Sequence, residues 1–361
     1  RKSVANTCSH LLKIIRDIVG FKSIRIKTAA HANLLQRYSG VVHHTTVRVD
    51  SPSDGVLILL KGVKNVILTC RYITAPLNIS ALAGVHRVSL DNLVSLRDED
   101  VKSLSGVHTI SMRNCSSITD KGIKHLAGVH SICLSKTAVT DDGLVALSGV
   151  HTIDLSKTEV TDKGVKCLAG VSCINLSGCK ITDETLLALK DVRDINLMTC
   201  LDITDLGIKA LKNVNTICLV LNPHVTIEGI KSLSGVSSIY LCNDNVTDND
   251  IIALKGLHKA VIYCKSITDV GVKALKGIHA VSLAVMNKIT DEGVKALAGA
   301  SLVELYGCDN VSKDAVKVLR DSGTVVVPRQ CRQLEDFALE ANPNHVSVEK
   351  QIENVFEVFG S

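Results

Sequence analysis

Six histidines, His86, His108, His130, His151, His258 and His279, stand at the same place in a repeating unit, one residue after its first aliphatic. Imidazole is a common metal ligand and titrates near neutrality, so a row of histidines first raises metal binding. A zinc site needs ligands that converge on one point from several directions. A residue repeated once per unit forms a straight row instead. Repetition of a consensus residue accounts for it, and no metal site is expected.

The chain also carries 13 cysteines. Cys115, Cys179, Cys200 and Cys308 each fall three residues after the last strand aliphatic, in the slot that Thr137, Thr158 and Asn222 fill in other units. A slot shared by Cys, Thr and Asn is small, buried and hydrogen-bonding. These residues are read as a structural ladder of reduced thiols, which favours a reducing compartment, cytoplasmic or nuclear. Cys331, beyond the repeats, has no His partner in the sequence. No phosphate-binding glycine loop, zinc-knuckle spacing or nucleophile elbow is found. The expectation is a protein with no catalytic residues, no cofactor and no enzyme activity.

The unit that positions these residues is clearest in GVHTIDLSKTEVTDKGVKCLAG, residues 149–170. Val150, Ile153 and Leu155 alternate with polar residues as in a half-buried strand. Thr158 and Val160 follow in a turn, and Thr161-Asp162 opens a short helical segment ending at Gly170. Such a unit cannot bury its apolar edge alone and must stack on its neighbours. From Gly62 the unit's glycine, or its stand-in, recurs every 21 or 22 residues. Asp191, Asn213 and Asp321 replace it, which predicts a left-handed residue at each helix end. Thr-Asp pairs from Thr119-Asp120 to Thr290-Asp291 open the helices. Thr is expected to cap free N–H groups and Asp to sit favourably in the helix dipole. Lys124, Lys166, Lys209, Lys231, Lys273, Lys295 and Lys317 are expected as a solvated outer stripe.

Hydrophobic content is 46%, aromatic content only 2%, and Trp is absent from the 361 residues, which suits thin stacked layers. A net charge of +5 is too mild to argue for nucleic acid, and no apolar run reaches the length of a membrane span. Three parts are predicted: an N-terminal cap helix over 1–19, the repeat array over 20–328, and a helical C-terminal cap over 329–361 carrying Phe337, Phe356 and Phe359. The cap seals the last coil, whose open strand would otherwise invite aggregation.

The eleven residues VHTIDLSKTEV fit the leucine-rich-repeat pattern, and the match recurs across residues 62 to 327. With Cys in the ladder slot and ITDxG following, the units resemble the cysteine-containing leucine-rich repeats of F-box proteins, and the GVHTIDLS wording is similar to repeat proteins of amoebae and their large DNA viruses. The units are shorter than the usual cysteine-containing type and nearer to internalin-like repeats. Residues 4–26 are similar to the tail of an F-box running into its first repeat. The resemblance implies an α/β solenoid, a curved horseshoe with a parallel inner sheet and short helices outside. It implies a protein-interaction scaffold, as in the substrate-recognition part of a ubiquitin-ligase adaptor, with a cullin-ligase linker protein bound by the N-terminal region. An internalin-like surface or effector protein that binds a host receptor is the alternative, and a structural spacer a third reading.

Strands stack at about 4.8 Å and helices at about 8–10 Å, so the strand side must line the inside of the arc. Side chains facing into it are small and polar in the first half, including Ser89, Asp91, Ser111, Arg113 and Ser135. Later units present Asn196, Met198, Val220, Tyr240, Cys242, Val261, Tyr263, Leu302, Glu304 and Tyr306. Exposed Tyr and aliphatics in one patch mark an interface. This face is the expected protein-binding site, unless a terminal segment folds back over it.

Overall fold

The computed structural model describes residues 23–26, 46–50, 52–68 and 76–329, apart from 212, 234, 244 and 255. The predicted cap helix over 1–19 and the C-terminal helices beyond residue 329 lie outside the described residues.

Among the described residues, fifteen parallel strands form one sheet in chain order, each paired with its sequence neighbours. They run from β1 (Ser23–Ile26) through β4 (Arg87–Ser89), β7 (Thr152–Asp154), β8 (Cys173–Asn175), β9 (Asp194–Asn196), β10 (Thr216–Val220), β12 (Lys259–Tyr263) and β14 (Leu302–Tyr306) to β15 (Val325–Arg329). This is the leucine-rich-repeat solenoid. Pairing sets like on like: Ile110 faces Ile132, then Ile153, Ile174 and Ile195. These side chains are at most 2% exposed, so one aliphatic row per strand position makes a continuous core. Strand length changes along the array, from three residues in β4 and β7–β9 to five in β10, β12 and β14. Pro328 lies within β15, an edge strand of the sheet among the described residues.

The outer side of most coils is one turn of α-helix, followed in several by a 3₁₀ turn, as in Asp162–Val165 and Lys166–Leu168. The seven lysines of the predicted stripe are exposed. Gly149 and Gly170 leave these turns at φ +85° and +92° with open space around them, so backbone conformation alone selects glycine there. The stand-ins behave differently. Asp191, Asn213 and Asp321 do not take positive φ. Asp321 ends the helix Lys313–Asp321, and Gly323 supplies the left-handed turn at φ +87°. A second left-handed series, not foreseen from sequence, follows the strands: Asn92, Asn114, Lys136, Lys157, Thr199, Leu221 and Val285, at φ between +52° and +63°.

The Thr-Asp pair also does more than cap its own helix. Thr161 Oγ1 accepts from the Lys163 N–H at 3.3 Å, as a cap should. Its own N–H and hydroxyl donate to Asp141 of the preceding coil at 2.8 and 2.7 Å. The same two-pronged bond joins Thr119 to Asp98, Thr140 to Asp120, Thr182 to Asp162, Thr204 to Asp183, Thr226 to Asp205, Thr268 to Asp248 and Thr290 to Asp269. Asp is thus a coil-to-coil rung. In most coils the rung also leaves room only for a glycine two residues further on in the unit; Thr185, which donates to Asp162, and Ala315 fill that position beside intact rungs. A Cβ on Gly143 would stand 2.5 Å from Asp120 Oδ1, and one on Gly271 the same distance from Asp248 Oδ1.

Where the rung is missing, the glycine is missing too. Ile227 replaces Asp in one coil, and the next coil carries Asp250 in the glycine position. Asp250 caps its own helix from inside, accepting from the Thr247 N–H at 2.6 Å and its hydroxyl at 2.9 Å. Pro76 likewise replaces Asp, and Asp100 then takes the glycine position and accepts from the Arg97 N–H at 2.9 Å.

Candidate functional site: the open face of the sheet

Side chains alternate along each strand, so every second residue points away from the core. The ladder residues sit at the edge of this face. Cys115, Cys179, Cys200 and Cys308 donate their thiols to the carbonyls of Leu90, Leu155, Leu176 and Leu283 in the preceding coil, at 3.3, 3.1, 3.1 and 3.6 Å. Asn222 donates to both Leu197 O and Cys200 O at 2.8 and 2.9 Å. Thr137 and Thr158 bond instead to Leu134 and Leu155 of their own coil, at 2.7 and 2.6 Å. Thr therefore gives up the bond to the preceding coil's carbonyl that Cys and Asn make, although Thr158 Oγ1 lies 3.9 Å from Cys179 Sγ of the next coil. Burial pushes the Cys179 thiol up to about 11 and raises Cys200 as well, which keeps both protonated as donors.

The open face has two halves. Around β4–β9 it is polar. Asp91 accepts from Ser111 Oγ at 2.5 Å and the Arg113 N–H at 2.9 Å, while Arg113 Nη2 lies 3.3 Å from Asp154 Oδ2. Burial raises the Asp91 carboxyl above its usual range. Asn175 and Asn196, paired in register, are fully buried; each accepts an N–H two residues on, from Ser177 and Met198.

From β10 to β14 the face turns apolar. Cys218, Val220, Tyr240, Cys242, Val261, Ala284 and Tyr306 form a second buried cluster, separate from the main core, with Met198 and Tyr263 packed against it. Lys259 Nζ lies 5.3 Å from the Tyr240 ring centroid. Glu304 accepts a hydrogen bond from Ser282, and a pocket opens among Lys259, Val261, Ser282, Leu302, Glu304 and Tyr306. The structure thus brings the predicted apolar residues together but leaves them less open than expected. Tyr240 is 4% exposed, Val261 5% and Tyr306 7%. Registered strands about 4.8 Å apart let a tyrosine ring shield the small residues beside it. Met198, Lys259, Tyr263, Leu302 and Glu304 are half-buried and carry the accessible part of the face. Sequence reasoning missed Cys218, Lys259 and Ala284, although the same period of two places all three on this face.

Among the described residues, no group of three or more His, Cys, Asp or Glu converges as a metal site, and no helix is long and apolar enough to cross a membrane.

The chain has the leucine-rich-repeat solenoid fold. A leucine-rich-repeat family model matches residues 150–169, 171–190 and 285–298. In fold it is similar to an internalin, InlF, of Listeria monocytogenes, with TM-score 0.55 and 14% identity over 84% of this chain and 95% of that one. It is also similar to a chain of the mouse RP105/MD-1 complex, with TM-score 0.50 and 13% identity over 80% of this chain and 54% of that one. No curated protein sequence matches it.

Proposed function

We propose that the chain is a protein-interaction scaffold whose partner seats on the open face between β10 and β14. One observation carries this reading. A sheet face turned away from the core has no structural need for Tyr and aliphatics, yet the polar row of the first half gives way there to a contiguous apolar cluster. Accessible apolar side chains gathered in one patch mark interfaces, and Met198, Tyr263 and Leu302 are the accessible ones here. The accessible contacts are Met198, Lys259, Tyr263, Leu302 and Glu304, with the Tyr240–Tyr306 cluster as their rigid floor. RP105, similar in fold, is found in complex with a protein, MD-1, which is in keeping with this use of the architecture.

The finer role is that of a substrate-recognition part of an F-box-type ubiquitin-ligase adaptor in the cytoplasm or nucleus. Thiols that donate to backbone carbonyls at Cys115, Cys179 and Cys200 support a reducing compartment. Affinity capture with mass spectrometry tests both levels. Wild type should retain a partner that M198A/Y263A/E304A loses while folding normally by circular dichroism. An unchanged partner set removes this face from consideration. Recovery of a cullin-ligase linker protein supports the adaptor role, and its consistent absence argues for an internalin-like receptor-binding role.

A further inference from the structure

One edge of the sheet carries a column of histidines. His86, His108, His130 and His151 stack ring on ring, with centroids 4.5, 4.6 and 4.7 Å apart and planes tilted by 28°, 27° and 16°. Each precedes its strand. The N–H groups of His108, His130 and His151 donate to the carbonyls of His86, His108 and His130 at 3.0–3.1 Å, so the backbone fixes the spacing. The Nδ1 atoms of His108 and His151 lie 3.1 and 3.2 Å from the hydroxyls of Thr109 and Thr152. Their Nε2 atoms have no partner among the described residues, and three of the four rings are exposed, with His108 half-exposed.

The charges acting on the column are cationic: Lys64 and Arg87 at its first end and the rings themselves. No carboxylate pairs with it among the described residues. Beyond His151 the backbone row continues through Ser172 to Arg193, with Asp194 next to it in the chain. Parallel rings hold their lone pairs parallel, so the column cannot converge on a metal. It can present parallel N–H donors once protonated.

We propose that this column is a proton-gated site for dissolved oxyanions of the phosphate and sulfate type. Protonated rings about 4.5 Å apart repel one another, and an oxyanion across two neighbouring Nε2–H donors relieves that repulsion. Proton and anion uptake are then linked, each favouring the other. Partial burial first and cationic neighbours second hold His86, His108 and His130 below the ordinary histidine value. On acidification the edge becomes a strip of positive donors continuous with Lys64 and Arg87.

The test is an NMR titration of the histidine side chains in the full chain, in sodium sulfate and in sodium chloride at equal ionic strength. Sulfate should raise the apparent pKa of His108 and His130 by roughly half a unit or more relative to chloride. In H108Q/H130Q, which interrupts the column, the sulfate-specific shift of His86 and His151 should vanish. Equal values in the two salts would overturn the proposal. So would a sulfate shift that survives in the interrupted column, because it would then belong to single rings.

Discussion

The pairing of a missing rung with a missing glycine makes a sharp prediction at Ile227 and Asp250. Asp250 is fully buried, and its Oδ1 has no hydrogen-bond partner. Replacing Ile227 with Asp puts a second carboxylate against it, as the geometry at Gly143 and Gly271 requires. Two like charges about 4 Å apart repel by about 4 kcal/mol at an effective dielectric near 20. Ile227→Asp should therefore destabilise by about 2–4 kcal/mol, part of it offset by protonation of one acid. Asp250→Gly strips Thr247 of its acceptor and should destabilise by about 1–3 kcal/mol. The double variant rebuilds the ordinary rung, with the carboxylate introduced at position 227 accepting from Thr247 beside a glycine, and removes the orphaned Oδ1. It should lie within about 1 kcal/mol of wild type, a coupling of at least ~2 kcal/mol. Urea denaturation of the four proteins, followed by circular dichroism, measures the cycle. If the two changes add to within ~0.5 kcal/mol, the rung and the glycine are independent and the reasoning fails.

Other consequences follow from the same contacts. Val285, β-branched at φ +52°, should gain about 1 kcal/mol on replacement by Asn, the residue that takes this conformation at Asn92 and Asn114, read as a higher Tm. Asn222→Ala should lose about 1–3 kcal/mol by leaving the buried Cys200 carbonyl unmet, since Leu197 O keeps the Cys200 N–H, whereas Asn222→Cys, which restores the second bond to Leu197 O as Cys200 makes to Leu176 O, should lose less. The lowered values at His86, His108 and His130 mean that the unfolded chain binds protons first. Their contribution is present above about pH 6.5 and is lost as pH falls through the lowered folded values, so the urea midpoint should drop less between pH 7.5 and 5 in H108Q/H130Q. Asp291 is held below the usual carboxylate range by the Ser312 hydroxyl and N–H. That rung's contribution is complete above about pH 4 and disappears below it, and Ser312→Ala should flatten this acid limb in a pH series.

Some features were legible because they depend on period alone. The alternation of Val150, Ile153 and Leu155, repeated every 21 or 22 residues, dictates a strand that needs neighbours, hence a parallel stack with one face inward. It also assigns Asn196, Tyr240, Tyr263 and Tyr306 to the other face. The ladder slot was legible from its shared tolerance of Cys, Thr and Asn, but not that Thr turns back to its own coil. That depends on which carbonyl each side chain can reach in the stacked coils, which the residue type alone does not encode.

What the tertiary structure alone decided are relations between residues some twenty positions apart. Asp141 reads in sequence as a helix-dipole residue, and only the stacking of coils shows it holding Thr161. The exchange of Gly for Asp at residue 250 looks like drift until Ile227 of the preceding coil is seen to replace the rung's carboxylate. The burial of Tyr240 and Tyr306 on a face expected to be open follows from lateral crowding between registered strands. Periodicity fixes which way a side chain points, because it is a property of one backbone. Occupancy of the space it points into is a property of its neighbours, and the fold alone supplies those.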